Sequence, residues 1–238
     1  MKVAIFPGSF KPPHLGHLQM IEKMLLSKSP FEKIYILISK KPRPLQTSLY
    51  DISSLPNDDI YLLLKPFQKK LSSKLTKEEY LEEYKKLIEK KKIPAITAEE
   101  SEKIWKIYIE YLKKKYTKEM MKTEIKPMIS WAPSPIIATY NLVTQLLKKT
   151  KPSNIYLVKS KKNSSNSRFD YLVKKTPELH VKILSSKSPN LHSKFLRKAI
   201  LDKNKEEILH YIPDDLSPFD KKKILDIFFK NSKNHEKI

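Results

Sequence analysis

The apolar and polar positions alternate between two kinds of segment. Lys2-Val3-Ala4-Ile5-Phe6 is a short apolar run ended by Pro7 and Gly8, and it reads as a strand. Pro12 and Pro13 bar helix before His14. Leu18, Ile21 and Leu25 then recur at helical spacing, with Met24 beside them. Ile34-Tyr35-Ile36-Leu37-Ile38 is uninterrupted and bounded by polar residues, as expected of a strand buried on both faces. Strand, helix and strand make a βαβ unit, which implies a parallel sheet with a right-handed crossover.

Residues 44–94 break this order. A weakly patterned stretch leads to a lysine- and glutamate-rich helix over Thr76–Lys92, with Tyr80, Tyr84, Leu87 and Ile88 on one face. This segment reads as a solvent-facing helical insertion. The order resumes at Thr97, where Thr97-x-x-Glu100 is a capping box. The helix it opens should turn Ile104, Trp105, Tyr108 and Tyr111 inward. Residues 124–131 predict a third strand. Ser134-Pro135 opens a helix with Ile137, Tyr140, Val143, Thr144 and Leu147 at helical spacing. Asn154–Val158 and His180–Leu184 predict a fourth and a fifth strand, with a polar loop and a helix near 167–175 between them. Helices follow near 191–201, 204–210 and 218–230. The expected fold is α/β: a Rossmann-like, doubly wound, five-stranded parallel sheet. Its main domain would comprise residues 1–43 and 95–201, with the insertion at 44–94 and C-terminal helices over 202–238 packed on the core.

Composition narrows the function classes. The 238 residues include no cysteine, so disulfide frameworks, thiolate metal sites and cysteine nucleophiles are excluded, and a reducing, cytoplasmic setting fits. No apolar run approaches a membrane span, and the apolar start is too short for a signal peptide. The formal net charge of +22 suggests a polyanion partner, yet all but three of the 48 basic residues are lysine. Lysine runs sit beside glutamates in helical segments, and a lysine excess with scarce glycine and arginine is what an AT-rich coding sequence, a viral one included, produces. Two readings stay open: compositional bias on solvated faces, or a lysine surface that binds nucleic acid. The scarce residues are more informative: two glycines, Gly8 and Gly16, and three arginines, Arg43, Arg168 and Arg197.

Both glycines fall in Gly8-Ser9-Phe10-Lys11-Pro12-Pro13-His14-Leu15-Gly16-His17-Leu18. A glycine there lets backbone approach a ligand closely. His14 and His17, three apart, face one side. The helix that follows directs its positive N-terminus into the same space. This predicts a phosphate site at the carboxyl end of the first strand.

The stretch closely resembles the signature of the nucleotidyltransferase superfamily with a His-x-Gly-His box. That superfamily includes the nicotinamide-mononucleotide and phosphopantetheine adenylyltransferases and the cytidylyltransferases. Gly-Ser-Phe, Pro-Pro-His and Leu-Gly-His-Leu stand as in that family. Ser39-Lys40-Lys41-Pro42-Arg43, Ile96–Ser101, Ser134-Pro135-Ile136 and Ser167-Arg168-Phe169 resemble successive segments of its phage- and virus-type members. The family's second motif, Ile-Ser-x-Thr-x-x-Arg, is best matched by Leu191-His192-Ser193-Lys194-Phe195-Leu196-Arg197. His192 and Lys194 depart from it. A rival match is Ser185-Ser186-Lys187-Ser188, which resembles a loop of the class I synthetases. A family glycine after the fourth strand is replaced by Lys159-Ser160.

The resemblance implies in-line transfer of a nucleotidyl group, from ATP first and CTP second, to a phosphorylated small molecule, with release of pyrophosphate. The acceptors it implies are nicotinamide mononucleotide, a flavin or pantetheine phosphate, or a sugar or alcohol phosphate. It implies catalytic roles for His14, His17, Lys11 and Arg197, and a nucleotide bed of Gly8, Ser9, Phe10, Gly16 and Ser193. Lys41, Arg43 and Arg168 are the candidates for the acceptor's phosphate. Mg²⁺ would bridge phosphates, since no carboxylate cluster suggests a metal cage made by protein alone. The rival reading is a catalytically impaired member that serves as a basic nucleic-acid- or protein-binding module. A homo-oligomer is compatible with either.

Overall fold

A computed structural model describes residues 1–45, 95–132, 135–149, 154–160, 169–188 and 190–230. The described chain runs β1 (Lys2–Gly8), α1 (Leu15–Leu25), β2 (Lys33–Ser39), β3 (Arg43–Pro44), β4 (Ala95–Ile96), α2 (Ala98–Lys115), α3 (Thr117–Met120) and β5 (Glu124–Ser130). It continues through α4 (Pro135–Lys149), β6 (Asn154–Ser160), α5 (Asp170–Lys175), β7 (Leu179–Leu184), α6 (Ser193–Leu201), α7 (Lys205–Leu209) and α8 (Pro218–Lys230). The Thr76–Lys92 helix and Ser134 lie outside the described residues.

Five strands form one sheet in the order β5-β2-β1-β6-β7, every pair parallel. Side chains of β1 alternate between two cores, as the period of two requires. Ala4 and Phe6 enter a core with α1, α2 and the C-terminal helices. Val3 and Ile5 enter the opposite one with α4 and Leu172 of α5. Helices therefore cover both faces, and the sheet is doubly wound. The chain leaves β1 towards one face and β6 towards the other, which opens a crevice at their carboxyl ends.

Local signals account for most element boundaries. Thr97 Oγ1 accepts from the Glu100 amide at 3.1 Å, and Glu100 Oε2 accepts from the Thr97 amide at 2.9 Å, closing the capping box. Ile104, Trp105 and Tyr108 are fully buried. Tyr111 is half-buried against the same core, and its hydroxyl donates to Asp215 at 2.7 Å. The buried stripe of α4 is set by packing against the sheet. Ala138, Thr139, Leu142, Val143 and Leu146 are buried, whereas Tyr140 is 52% exposed. Positions 137, 140, 144 and 147 share a helical period with 139, 142 and 146, and amphipathic tyrosine and threonine do not decide between neighbouring stripes.

A two-residue antiparallel ladder, Arg43 with Ile96 and Pro44 with Ala95, was not expected. It joins the two ends of the interruption at residues 46–94, so the order resumes at Ala95. The C-terminal helices contribute Ile208, Tyr211, Leu216, Ile224 and Phe228 to the same core as Phe10, Leu18 and Trp105. Among the described residues, no helix is long and apolar enough to cross a membrane.

Candidate functional site

The loop after β1 is held in an unusual form by its own aromatic residues. Phe10 takes a left-handed backbone (φ 49°), which turns its ring back over the strand. A Cβ on Gly8 would lie 2.7 Å from that ring, closer than atoms can pack. Phe10 stands edge-on to Phe6 (4.9 Å between centroids), His17 (5.1 Å) and Trp105 (5.4 Å). Gly8 is thus required by Phe10. Gly8 also lines the cleft described below.

His14 and His17 form the start of α1. Their rings lie 3.8 Å apart, tilted by 33°. His14 Nδ1 accepts from the Gly16 amide at 3.1 Å, and His17 Nδ1 accepts from the His14 amide at 3.2 Å. Two imidazoles thus do what serine and glutamate do in an ordinary capping box. A ring whose Nδ1 accepts carries its neutral-form proton on Nε2. The hydrogen bonds therefore assign one tautomer to both histidines. Burial pulls the His17 imidazole down from its ordinary value to about 3, which keeps it neutral. Gly16 is required by this pair: a Cβ there would sit 3.1 Å from His14 Cε1.

The amides of the first turn of α1 are bonded within the protein. Leu15 N donates to Tyr211 O at 2.8 Å, Gly16 N donates to His14 Nδ1, and His17 N and Leu18 N donate to His14 O at 2.8 and 3.2 Å. The four amides that a helix start leaves open are all occupied. The helix still contributes its dipole, but the direct donors at this end are side chains.

A cleft of about 390 Å³ opens at the carboxyl ends of β1 and β6. Gly8, Ser9, Phe10, His17, Arg43 and Ser193 line it, six of the residues singled out from the sequence. Lys159 and Ser160, which replace the family glycine, form its wall with Val158 and Phe169. Met20, Pro135 and Ile136 complete an apolar side. Among the described residues no Asp or Glu lines it, and the polar ones are basic or hydroxylic.

Other expected residues lie behind this surface. His14 is buried against His17, and Gly16 abuts it. Lys11 is fully buried, with its Nζ donating to Ser39 O. Burial, reinforced by the Arg43 charge, holds its ammonium well below the ordinary lysine range. Arg197 is also buried and donates from Nη1 to Lys11 O at 3.1 Å. Both cations therefore bond to the chain itself in this structure. Lys41 adjoins Arg43, and burial and that charge lower its pKa. Arg168 lies outside the described residues.

Both matches to the second motif reach the site. Ser193 begins α6 at the cleft, while His192 before it and Lys194 after it are exposed. The Ser185–Ser188 stretch abuts the α1 turn. Gln19 holds it through Nε2 to Ser188 Oγ and from Ser188 N to Oε1, both 3.0 Å. Ser186 Oγ would stand 3.6 Å from a Cβ on Gly16. Two contributors escaped the sequence reading. Gln19 looks like an ordinary polar helix position, and Tyr211 lies nearly two hundred residues from the loop it touches.

Part of the chain is similar to proteins that share one name. The chain is 35% identical over 83 residues to the phosphopantetheine adenylyltransferase of Mycoplasma capricolum, spanning 33% of this chain and 57% of that protein. Identity and coverage are the same with the phosphopantetheine adenylyltransferase of Mycoplasma mycoides. A 42-residue stretch is 38% identical to the phosphopantetheine adenylyltransferase of Aquifex aeolicus, 18% of this chain and 24% of that one. The similarity thus spans little more than half the length of the first two relatives. No family model matches the chain, and no solved structure does.

Proposed function

We propose that the chain is a nucleotidyltransferase that moves an adenylyl group from ATP onto a phosphorylated acceptor. The observation that carries this reading is the stacked His14–His17 pair, fixed in its Nε2–H tautomer at the mouth of a basic cleft. The adenylyltransferase relatives support ATP as the nucleotide over CTP, and pantetheine phosphate as the first acceptor to test.

In the proposed reaction an acceptor phosphate oxygen attacks the α-phosphorus of ATP. A new P–O bond forms as the bond to the β-phosphate oxygen breaks, and pyrophosphate leaves with that electron pair. Such transfers need positioning and charge neutralisation more than covalent chemistry. His17 donates from Nε2 to an oxygen on which charge grows, and neutrality keeps that donor in place without a buried positive charge. Arg43, at the cleft, forks onto a phosphate. Ser9 and Ser193 add hydroxyl donors, and the Phe10 and Met20 side supports the nucleoside. Lys11 and Arg197 hold the loop in shape from behind and add positive potential.

Among the described residues, no group of three or more His, Asp or Glu side chains forms a metal cage. The cleft fits Mg²⁺ only as an ion carried on the triphosphate, where it would neutralise phosphate charge. The test is pyrophosphate release with ATP or CTP against a panel of acceptor phosphates. ATP with pantetheine phosphate should turn over, and dependence on both substrates is required.

A second reading follows from one observation. Arg197, the matched arginine of the second motif, is turned onto Lys11 O, as it would be in a member that binds nucleotides or nucleic acid without turnover. Salt-dependent nucleic-acid binding with no pyrophosphate release from any acceptor would favour it.

A further inference from the structure

The His14–His17 pair cannot be oriented by its loop alone. Four of the ten residues from Gly8 to His17 are glycine or proline, and the loop must cross from the sheet to α1. Two contacts from the C-terminal third of the chain fix its ends. Arg197 of α6 donates to the Lys11 carbonyl at 3.1 Å. The Tyr211 carbonyl accepts from the Leu15 amide at 2.8 Å, the first amide of α1. The Tyr211 ring stands edge-on to His14, 6.2 Å between centroids, and is 4% exposed.

The segment carrying Tyr211 is itself anchored at several points. Tyr211 N donates to Ile208 O at 3.0 Å, and Ile208 and Ile212 on either side are buried in the core. Four residues after Tyr211, Asp215 accepts from Tyr111 at 2.7 Å and from Lys115 at 3.0 Å, both on α2. Lys115 also pairs with Glu22 of α1 at 3.4 Å. A strut thus runs from α2 through Asp215 and Tyr211 to the first turn of α1. It ends on the histidine that stacks on the cleft-lining one.

We propose that Tyr211 is a positioning residue: its carbonyl and ring set the orientation and tautomer of the histidine pair, and thereby any catalysis by that pair. The geometry explains why both contacts are needed. The carbonyl fixes where α1 begins, and so the direction of the His14 amide that His17 Nδ1 accepts. The ring packs edge-on against His14, 6.2 Å between centroids, and limits how far that imidazole can move. Without them the two imidazoles would exchange tautomers and take up solvent. The C-terminal helices then belong to the site and are more than a cover for the core.

The inference about catalysis rests on the transferase reading, but its structural part is tested without substrate. Leu15→Pro removes the amide that reaches Tyr211, together with the half-buried leucine side chain. Proline suits the first helical position, and His14 already has the extended backbone that precedes proline (φ −144°, ψ 172°). Tyr211→Leu removes the ring and leaves a carbonyl. Tyr211→Phe keeps both contacts. Nitrogen-15 NMR of the histidines in the full chain reads tautomer and titration. In the wild type and in Tyr211→Phe, both rings should show the Nε2–H form, with His17 resisting protonation. In Leu15→Pro and Tyr211→Leu, mixed tautomers should appear, and the His17 midpoint should rise by at least about one pH unit, a tenfold change in proton affinity. If pyrophosphate release is present, kcat should fall in these two variants with KM little changed. Unaltered histidine signals in a folded Leu15→Pro would overturn the proposal, whatever happens to Tyr211→Leu. Altered signals in a chain without transferase activity would uphold the positioning role and remove the transferase reading instead.

Discussion

Replacing Gly16 by alanine separates two effects that usually move together. The added Cβ would lie 3.1 Å from His14 Cε1 and 3.2 Å from Nδ1, so the ring must give by a few tenths of an ångström. It cannot move freely. Its Nδ1 is bonded to the Gly16 amide, and the ring is stacked 3.8 Å from His17. The push is therefore passed to His17. Overpacking of this kind costs about 1–3 kcal/mol. Alanine in place of glycine in a helix returns up to about 1 kcal/mol, since Gly16 is not in a left-handed conformation. Net destabilisation should be about 2 kcal/mol or less, a melting-temperature change of a few degrees. Activity responds differently. A displacement of about 1 Å in a reacting group costs roughly a hundredfold, so a shift of a few tenths should cost about two- to sixfold. Thermal unfolding and pyrophosphate release on the same sample check this. Unchanged turnover, or a turnover loss explained wholly by unfolding, would refute the view that Gly16 exists to accommodate the histidine pair.

Other perturbations test separate parts of the structure. His17 titrates near 3 when folded but near 6.5 when unfolded, so below pH 6.5 the unfolded chain binds the extra proton. Stability should be fully present above pH 6.5 and fall by up to about 1.4 kcal/mol per unit as pH drops towards 3, and His17→Asn should lose this component in denaturant titrations at several pH values. Lys11→Met removes a buried cation held below its ordinary pKa, at the loss of one bond to Ser39, so its melting temperature at neutral pH should equal or exceed that of the wild type. A fall of many degrees would instead give the Lys11 charge a net stabilising role. Thr97→Ala opens the α2 capping box and should lower stability by about 1 kcal/mol without altering turnover, as melting and rate measurements would show.

The sheet was legible because its strands announce themselves. Val3 to Phe6 and Ile34 to Ile38 are apolar on both faces, and only strands covered on both sides need that. The loop was legible because glycine and paired histidines are rare in a lysine-rich chain. What stayed hidden was contact at long range. No local pattern shows that Tyr211 receives the Leu15 amide, or that Arg197 is turned onto Lys11 O. The reason for each glycine was hidden too, because it depends on where the Phe10 and His14 rings fold back. The exposed Tyr140 shows the same limit on α4, where a side chain content in water or core leaves the buried stripe undetermined.

The central claim, adenylyl transfer centred on the cleft histidine, is tested most directly by measuring pyrophosphate release from ATP and pantetheine phosphate for the wild type and for His17→Ala, with melting curves of both. The account predicts release that requires both substrates, and a loss of several orders of magnitude in a folded His17→Ala. Equal release by the two proteins, or none from the folded wild type with any acceptor phosphate, would contradict it.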